Sequence, residues 1–328
     1  MRAGAGRAVA VAVVVLAATL TALLVLRGGG QAAVAGQGAT PRPVGSGGQA
    51  ADFAAGRGAA AGGRSSGTTP ARLPSADPAA TRLDGDPLSA AAAYAAGRAG
   101  SVLAAVYDVR TGQSWQLGDG QPQAEASIVK LDILETLLAR QDGATLPAGD
   151  QALAQSMIED SDNDAATSLW DEAGGAAGLA AYNGAAGLTG TTPSQCVDCA
   201  GFAWPGWGLT TTLPRDQLTL LKQLIVPASR PLLSDTARSY ALSLMENVAP
   251  EQRWGVSGGV PAGVTVALKN GWLPLDGANT DWQVNSVGWV SGAGRDYLIA
   301  VLTTGSPSEQ YGIDTISGLS ALVWSALG

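Results

Sequence analysis

Residues 28–84 restrict where this chain can fold. They consist mainly of Gly, Ala, Ser, Pro and Thr, and Phe53 is their single aromatic residue. Such a composition buries too little apolar surface to offset the loss of chain entropy, so it predicts a disordered linker. A packed domain is therefore expected in residues 85–328, whose length suits one large domain or two small ones.

The N-terminal segment, residues 1–27, has the pattern of a signal peptide or a membrane anchor. Arg2 and Arg7 precede an uncharged stretch at residues 8–26, which is just long enough to span a bilayer. Ala33–Ala35 fits a small-residue cleavage site, so cleavage and anchoring both stay open. Either alternative makes the protein extracytoplasmic, secreted or anchored by residues 8–26, with no other membrane contact expected.

The two parts of the chain carry opposite charge. Of 19 basic and 27 acidic residues, residues 1–84 hold eight and three, which leaves 11 and 24 for residues 85–328, a net charge of −13. A surface of that sign does not bind nucleic acid nonspecifically. The sequence gives no oligomerisation signal, so a monomer is the default, and no metal or organic cofactor is implied.

Cys196 and Cys199 are the only cysteines. Two cysteines without histidine are too few for a zinc site. The Gly- and Pro-containing flanks indicate a loop rather than the strand–helix context of a redox pair. In an exported protein, this spacing favours a local disulfide that pins the loop.

Hydrophobic periodicity predicts an α+β domain. The expected order is a helix, a hairpin, a block of helices, three strands and a closing helix. The helices are expected at 86–98, 127–140, 149–158, 165–173, 212–225, 236–246 and 314–327, and the strands at 101–108, 114–117, 264–268, 285–290 and 297–304. Residues 174–208 are expected to be rich in loops. A sheet split in sequence in this way predicts an antiparallel sheet flanked by terminal helices, with an inserted all-helical subdomain.

The absence of histidine limits the available acid–base chemistry. A Ser-His-Asp triad is impossible, and arginine does not release its proton in proteins, whereas a desolvated lysine does. Of the three lysines, Lys130 and Lys269 lie in short motifs, and Lys222 does not. A serine nucleophile in this chain would need a lysine as its base.

Ser127 and Lys130 form an S-x-x-K motif at the start of a predicted helix. At positions i and i+3 they share one face, and partial burial there would lower the pKa of Lys130. Free N–H groups at the helix start favour a developing oxyanion near Ser127. The alternative is a surface serine with a solvated lysine.

Two further motifs follow, and each has an ordinary structural explanation. Ser161–Asn163 lies at a break between helices, where these residue types also serve as caps. Lys269–Gly271 is expected at the end of a strand, where a glycine lets substrate lie against the strand edge or simply begins a turn.

Together these motifs resemble the S-x-x-K, S-D-N and K-T-G set of the class A serine β-lactamase and penicillin-binding protein superfamily. The resemblance extends over about residues 86–328, and Thr210–Pro214 is similar to the T-T-T-x-P segment of class A enzymes. It implies that Ser127 is acylated, that Lys130 is its base and that Ser161 passes a proton to the leaving nitrogen.

The resemblance also implies a substrate-binding set. Asn163 would hold the substrate amide, and Lys269 would attract a substrate carboxylate with help from Asn270 and Gly271. Backbone N–H groups of Ser127 and Trp272 would form the oxyanion hole. The implied substrates are β-lactams or peptides resembling those of peptidoglycan.

Three departures qualify the resemblance. Asn270 replaces the usual Thr or Ser, and the 34 residues from Ser127 to Ser161 are a short interval for class A. The class A E-x-x-L-N segment is missing, because residues 173–215 contain no glutamate and Asp198 is their only acid. Asp198 is either a substitute deacylating group or an ordinary loop acid.

Two functions therefore stay open. One is an exported serine hydrolase with slow β-lactam turnover, since acylation without a base for water stalls at the acyl-enzyme. The other is a penicillin-binding or cell-wall-associated protein that does not hydrolyse its ligand. In a third and weaker alternative, Trp204, Trp207 and Trp272 line a carbohydrate or peptide groove of a structural wall protein instead of packing the core.

Overall fold

The computed structural model describes residues 85–141, 145–199, 206–275 and 279–328. All of them fall within one compact unit, Ser66–Gly328. The N-terminal segment 1–27 and the linker 28–84 lie outside the described residues, so their predicted roles stay predictions. Among the described residues, no helix is both long enough and apolar enough to cross a bilayer.

A five-stranded antiparallel sheet forms the centre of the domain. Its order is β2-β1-β7-β6-β5, which leaves β5 at one edge. The strands are β1 (Ser101–Asp108), β2 (Ser114–Leu117), β5 (Thr265–Pro274), β6 (Trp282–Gly292) and β7 (Arg295–Ser306). Two short strands, β3 (Gln123–Ala124) and β4 (Thr211–Thr212), pair separately.

Helices cover both faces of the sheet. The terminal helices are α1 (Ser89–Ala96) and α8 (Glu309–Ala326). The block between β3 and β5 contains α2 (Val129–Ala139), α3 (Ala148–Gln155), α4 (Asn163–Glu172), α5 (Gly175–Ala186), α6 (Pro214–Ile225) and α7 (Asp235–Glu246). The fold prediction is therefore confirmed: an antiparallel sheet, terminal helices and an inserted helical subdomain.

The domain has three layers, the sheet and the helices on each of its faces, and the alternation of side chains along the strands explains them. Along β1, Leu103 and Ala105 pack into the core shared with the helical block, whereas Ala104 and Val106 pack into the core shared with α1 and α8. Successive strand side chains point to opposite faces, so a sheet that is apolar on both sides has to be covered twice.

The hairpin β1–β2 has the predicted bounds, and the other predicted strands and helices are present with shifted ends. One helix was missed and one strand end was wrong. The loop-rich region 174–208 also contains a helix that was not predicted, because the alanine-rich segment Gly175–Ala186 forms α5. Lys269–Gly271 lies inside the ten-residue β5 rather than at its end, since pairing with β6 continues to Pro274.

Candidate active site

A cavity of about 330 Å³ opens beside the edge strand β5. Six pieces of chain meet around it: the turn before α2, the break before α4, two 3-10 turns at Gly206–Leu209 and Pro250–Gln252, the second half of β5 and the start of β6. The described lining residues are Ala126, Ser127, Asp160, Ser161, Asn163, Gly206, Trp207, Gly208, Leu209, Gln252, Trp272, Leu273, Pro274 and Trp282.

Ser127 lies half-buried in this lining, in a 3-10 turn that leads directly into α2. The preceding residue, Ala126, has φ of 52° in the left-handed region. A left-handed non-glycine residue costs about 1–3 kcal/mol and persists only where its surroundings impose it. This turn places Ser127 at the cavity and not inside the helix.

Lys130 is completely buried one turn after Ser127. Its Nζ lies 2.6 Å from the backbone oxygen of Ser161, 3.1 Å from Ser161 Oγ and 2.8 Å from Asn163 Oδ1. Burial lowers the pKa of Lys130 to about 7, against the opposing effect of the Asp162 charge. The side chain is therefore poised to exist as a neutral amine near neutral pH, as general-base chemistry requires.

Ser161 joins the two lysines. It ends a π-helical turn (Ser156–Asp160) in the left-handed conformation, with φ of 59°, and Asp162 then caps α4 by accepting from the N–H of Ala165 at 2.7 Å. Lys269 Nζ donates to Ser161 Oγ at 2.9 Å and to the backbone oxygen of Asn270 at 2.9 Å. One hydroxyl therefore lies within hydrogen-bond distance of both amines.

Lys269 is also completely buried. Desolvation, with the charge of Lys130 adding to it, lowers the pKa of Lys269 well below its ordinary range. Two adjacent ammonium ions in a desolvated site repel each other, so the pair is driven towards losing a proton.

Gly271 brings β5 against the backbone of the Ser127 turn. A Cβ at this position would lie 2.6 Å from the nitrogen of Ser127, 2.7 Å from the nitrogen of Ile128 and 2.8 Å from the oxygen of Glu125. Only glycine permits this approach. Trp272, the next residue, lines the cavity and stacks edge-on against Trp254 at 5.8 Å between ring centroids.

Asn270 does not face the cavity, which corrects its predicted role in holding a substrate carboxylate. Its Nδ2 donates to the backbone oxygens of Gln252 at 2.6 Å and Trp254 at 3.3 Å, and its Oδ1 accepts from Ser286 Oγ at 2.5 Å. The amide is buried and occupied, because alternation along β5 sends it to the opposite face from Lys269.

Cys196 and Cys199 form the predicted local disulfide. It supports the cavity wall, since Gly206 packs against Cys199 Sγ and its N–H donates to the Cys196 oxygen at 2.9 Å. Asp198, inside this loop, is exposed and absent from the described lining. The suggestion that Asp198 replaces the missing glutamate is therefore not supported by its position.

One comparison shows the family to which the chain belongs. The sequence profile described as the Beta-lactamase enzyme family matches residues 135–327, more than half of the chain. The chain belongs to the beta-lactamase enzyme family. The match begins just after Ser127 and Lys130 and does not include them. The place of these two residues in the site is therefore argued from the geometry above.

Proteins called putative lipoprotein LppW, from Mycobacterium tuberculosis and Mycobacterium bovis, are 30% identical over 214 residues. That alignment covers 63% of this chain and 64% of the relative. Among solved structures, the TLA-1 extended-spectrum β-lactamase aligns with a TM-score of 0.64 at 18% identity, over 74% of this chain and 98% of that one. PBP-A aligns with a TM-score of 0.60 at 21% identity, over 78% and 98%. The structural likeness confirms the fold of this family member.

Sequence reasoning had left the role of Trp207 in this beta-lactamase-family site open. Its buried ring lies 5.0 Å from Lys130 Nζ, and its Nε1 donates to Thr167 Oγ1 at 3.2 Å. The segment expected to carry the class A glutamate thus presents an indole beside Lys130. Trp272 also lines the cavity, whereas Trp204 lies outside the described residues.

Sequence reasoning missed a group of buried carboxyls behind the site. Burial raises the pKa of Asp132 to about 7, against hydrogen bonds from Asn183 and Thr136. Burial also raises the pKa values of Glu125 and Glu135 well above their ordinary range. For Asp132 and Glu135, the signal was a pair of acids three residues apart in the apolar helix α2, whereas Glu125 lies before that helix.

Proposed function

We propose that this family member is an exported serine hydrolase that is acylated on Ser127 by β-lactams or D-Ala-D-Ala-like amides. The observation that carries the proposal is the buried Lys130 amine, whose lowered pKa makes it a base one turn from a cavity-lining serine. A protein that only binds a ligand gains nothing from a desolvated lysine, which destabilises the fold when charged.

The proposed mechanism uses three polar side chains, those of Ser127 and Ser161 in the cavity lining and that of the buried Lys130. Neutral Lys130 takes the hydroxyl proton as Ser127 Oγ bonds to the carbonyl carbon, and the N–H groups of Ser127 and Trp272 receive the oxyanion. The C–N bond then breaks, and the leaving nitrogen takes a proton through Ser161, which both lysines contact. An ester on Ser127 remains.

Deacylation is the slow step in this proposal. Water must attack the ester, and its activation by a carboxylate contributes typically 10²–10⁴-fold. Asp160 is the one carboxylate among the described lining residues, and it is exposed to solvent. In the segment where class A enzymes carry the glutamate, Trp207 lines the cavity, and an indole cannot act as the base for water.

The lack of a buried carboxylate to activate water among the described lining residues favours a second candidate. This candidate is a penicillin-binding or cell-wall-associated protein that does not turn over its ligand. One relative in the structural comparison was solved as an acyl-enzyme complex of a PBP-A mutant with penicillin G, at 22% identity and a TM-score of 0.60. In this candidate Ser127 is acylated, and the ester persists.

We also propose that the domain works outside the cytoplasm. Residues 8–26 would export or anchor it, and the described LppW relatives are named as putative lipoproteins. In this chain the only cysteines are the disulfide pair, so an anchor would be the apolar segment itself and not a lipid on an N-terminal cysteine.

An intact-mass time course tests the proposal. The full chain, purified in detergent, is mixed with penicillin G, and Ser127→Ala is the matched control. We expect an adduct of one penicillin on the wild type that decays slowly, and none on the variant. A permanent adduct moves the assignment to the second candidate, and the absence of any adduct contradicts acylation by β-lactams.

A further inference from the structure

The indole of Trp207 is fixed over the amine of Lys130. The ring is buried, and its centroid lies 5.0 Å from Lys130 Nζ. The indole Nε1 donates to Thr167 Oγ1 at 3.2 Å, and that hydroxyl donates to the backbone oxygen of Asn163 at 2.9 Å. Asn163 is itself a partner of Lys130. The ring is therefore tied to the same helix, α4, that supplies one of the hydrogen bonds of the amine.

Lys130 has polar and apolar neighbours on different elements. Its three hydrogen bonds, of 2.6 Å, 3.1 Å and 2.8 Å, go to Ser161 and Asn163, whereas towards the loop its neighbour is the face of the indole. A ring face attracts an ammonium ion, but it replaces only part of the hydration that the ion loses on burial. The ring therefore favours the neutral amine, in agreement with the lowered pKa of Lys130.

Two charged side chains act on Lys130 in opposite directions. Asp162, at the start of α4, raises the pKa of Lys130. Lys269 on β5 is close enough for the charge of Lys130 to lower its pKa, so each amine disfavours a charge on the other. Asp160 lines the same cavity but is exposed, so solvent screens its charge. On the loop side, the exclusion of water by Trp207 is what favours the neutral amine.

The disulfide supports the start of the turn that carries Trp207. The N–H of Gly206 donates to the oxygen of Cys196 at 2.9 Å, and a Cβ on Gly206 would collide with Cys199 Sγ. Cys199 is buried, although the residues between the two cysteines are exposed. The bridge therefore packs directly against the residue before Trp207, and its loss would remove that support.

We propose that Trp207 is a positioning residue, which acts on the reaction by keeping water away from Lys130. The Cys196–Cys199 disulfide holds the indole in place. The inference rests on the proposed function, because Lys130 is the proposed base of acylation. Without the ring, water would hydrate the ammonium form, so less neutral amine would be available near neutral pH. A disulfide suits this use in an exported protein, since it persists in an oxidising compartment.

The titration of Lys130 can be measured without any substrate. The chain has three lysines, so the full chain labelled with isotopic lysine in detergent gives three side-chain NMR signals, and Lys130→Met identifies the one from Lys130. In the wild type we expect a midpoint at about pH 7. In Trp207→Ala the midpoint should lie about 1–2 pH units higher, because the amine regains water.

Four further variants complete this measurement. Trp207→Phe keeps an apolar ring and should stay within about 0.5 pH unit of the wild type. Trp207→Gln brings a polar amide to Lys130, should raise the midpoint as Trp207→Ala does, and decides the test if Trp207→Ala does not fold. The double variant Cys196→Ala/Cys199→Ala should raise it as well. Trp115→Ala, on β2 at the opposite edge of the sheet, should leave it unchanged.

The rate of acylation by penicillin G provides an independent readout. At pH 7, Trp207→Ala should react about 5–50-fold more slowly than the wild type, and at pH 9.5 it should come within about twofold, because high pH restores the neutral amine. A role of Trp207 in packing alone would slow the reaction equally at both pH values, and that result would contradict the inference.

The outcomes separate this inference from the proposed function. An unchanged Lys130 midpoint in folded Trp207→Ala or Trp207→Gln protein overturns the inference, and an unchanged midpoint in the double cysteine variant overturns the part assigned to the disulfide. A wild-type midpoint near that of an ordinary lysine refutes both proposals. If the midpoints shift as expected but penicillin G never acylates Ser127, the effect of Trp207 on Lys130 stands and acylation by β-lactams is excluded.

Discussion

At the scale of the residue, the proposed chemistry depends on Lys130. Its motif was recognisable in the sequence, but its hydrogen bonds to Ser161 and Asn163 come from a segment more than thirty residues away. Burial by those neighbours and by Trp207 lowers its pKa, since desolvation disfavours the ammonium form. Spacing along a helix predicts neighbours on one face, not the elements that cover that face.

The rate of acylation should follow the titration of Lys130. Because the neutral amine is the proposed base, the second-order rate with penicillin G should rise about tenfold per pH unit below pH 7 and level off above it. Lys130→Met should lose about 10²–10⁴-fold of this rate. Lys222→Met, at a lysine that lies over the Tyr107 ring, is the control and should keep the wild-type profile. A Lys130→Met protein with the wild-type rate would exclude Lys130 as the base.

At the scale of the element, β5 positions the site by lying very close to the turn before α2. Gly271 contacts the backbone of that turn directly, so a shift of β5 would also move Ser127, the proposed nucleophile. The sequence suggested that a glycine here leaves room for substrate. The structure shows instead that it leaves room for the Ser127 backbone, which is a long-range contact that no local pattern reveals.

Gly271→Ala should separate β5 from the nucleophile. The new methyl group would overlap three backbone atoms, none of which can rotate away, so we expect acylation to fall more than tenfold and the free energy of unfolding to fall by about 1–3 kcal/mol. Gly184→Ala, in α5 with open space at its Cβ, should instead stabilise the protein by about 0.5–1 kcal/mol. Unchanged acylation by the Gly271→Ala protein would refute the close-packing argument.

At the scale of the whole molecule, burial shifts the pKa values of an acid and of a base in opposite directions, so that both favour their neutral forms. Asp132 in the helical block has a raised pKa, and Lys130 beside the cavity has a lowered one. Between about pH 4 and 7 the folded chain keeps a proton on Asp132 that the unfolded chain has lost, so this group's contribution to stability falls as pH rises. Between about pH 7 and 10.5 the unfolded chain keeps a proton that folded Lys130 has lost, so its contribution rises with pH.

Urea denaturation of matched variants should resolve the two effects, with tryptophan fluorescence as the probe. The stability of the wild type relative to Asp132→Asn should fall from pH 4 to 7, and relative to Lys130→Met it should rise from pH 7 to 10. Each slope should reach at most about 1.4 kcal/mol per pH unit. Parallel pH profiles for the wild type and both variants would show that neither group is shifted.

The sequence by itself determined the fold class, most element positions, the local disulfide and the three motifs with their order. These follow from hydrophobic period, residue spacing and the lack of histidine, which are properties of neighbours along the chain. Tertiary structure alone decided that Asn270 turns inward, that Asp198 stays outside the cavity, and that Trp207 lies beside Lys130. Those outcomes depend on which strand edge, turn and loop pack together, and burial then sets which amines and carboxyls hold their charge.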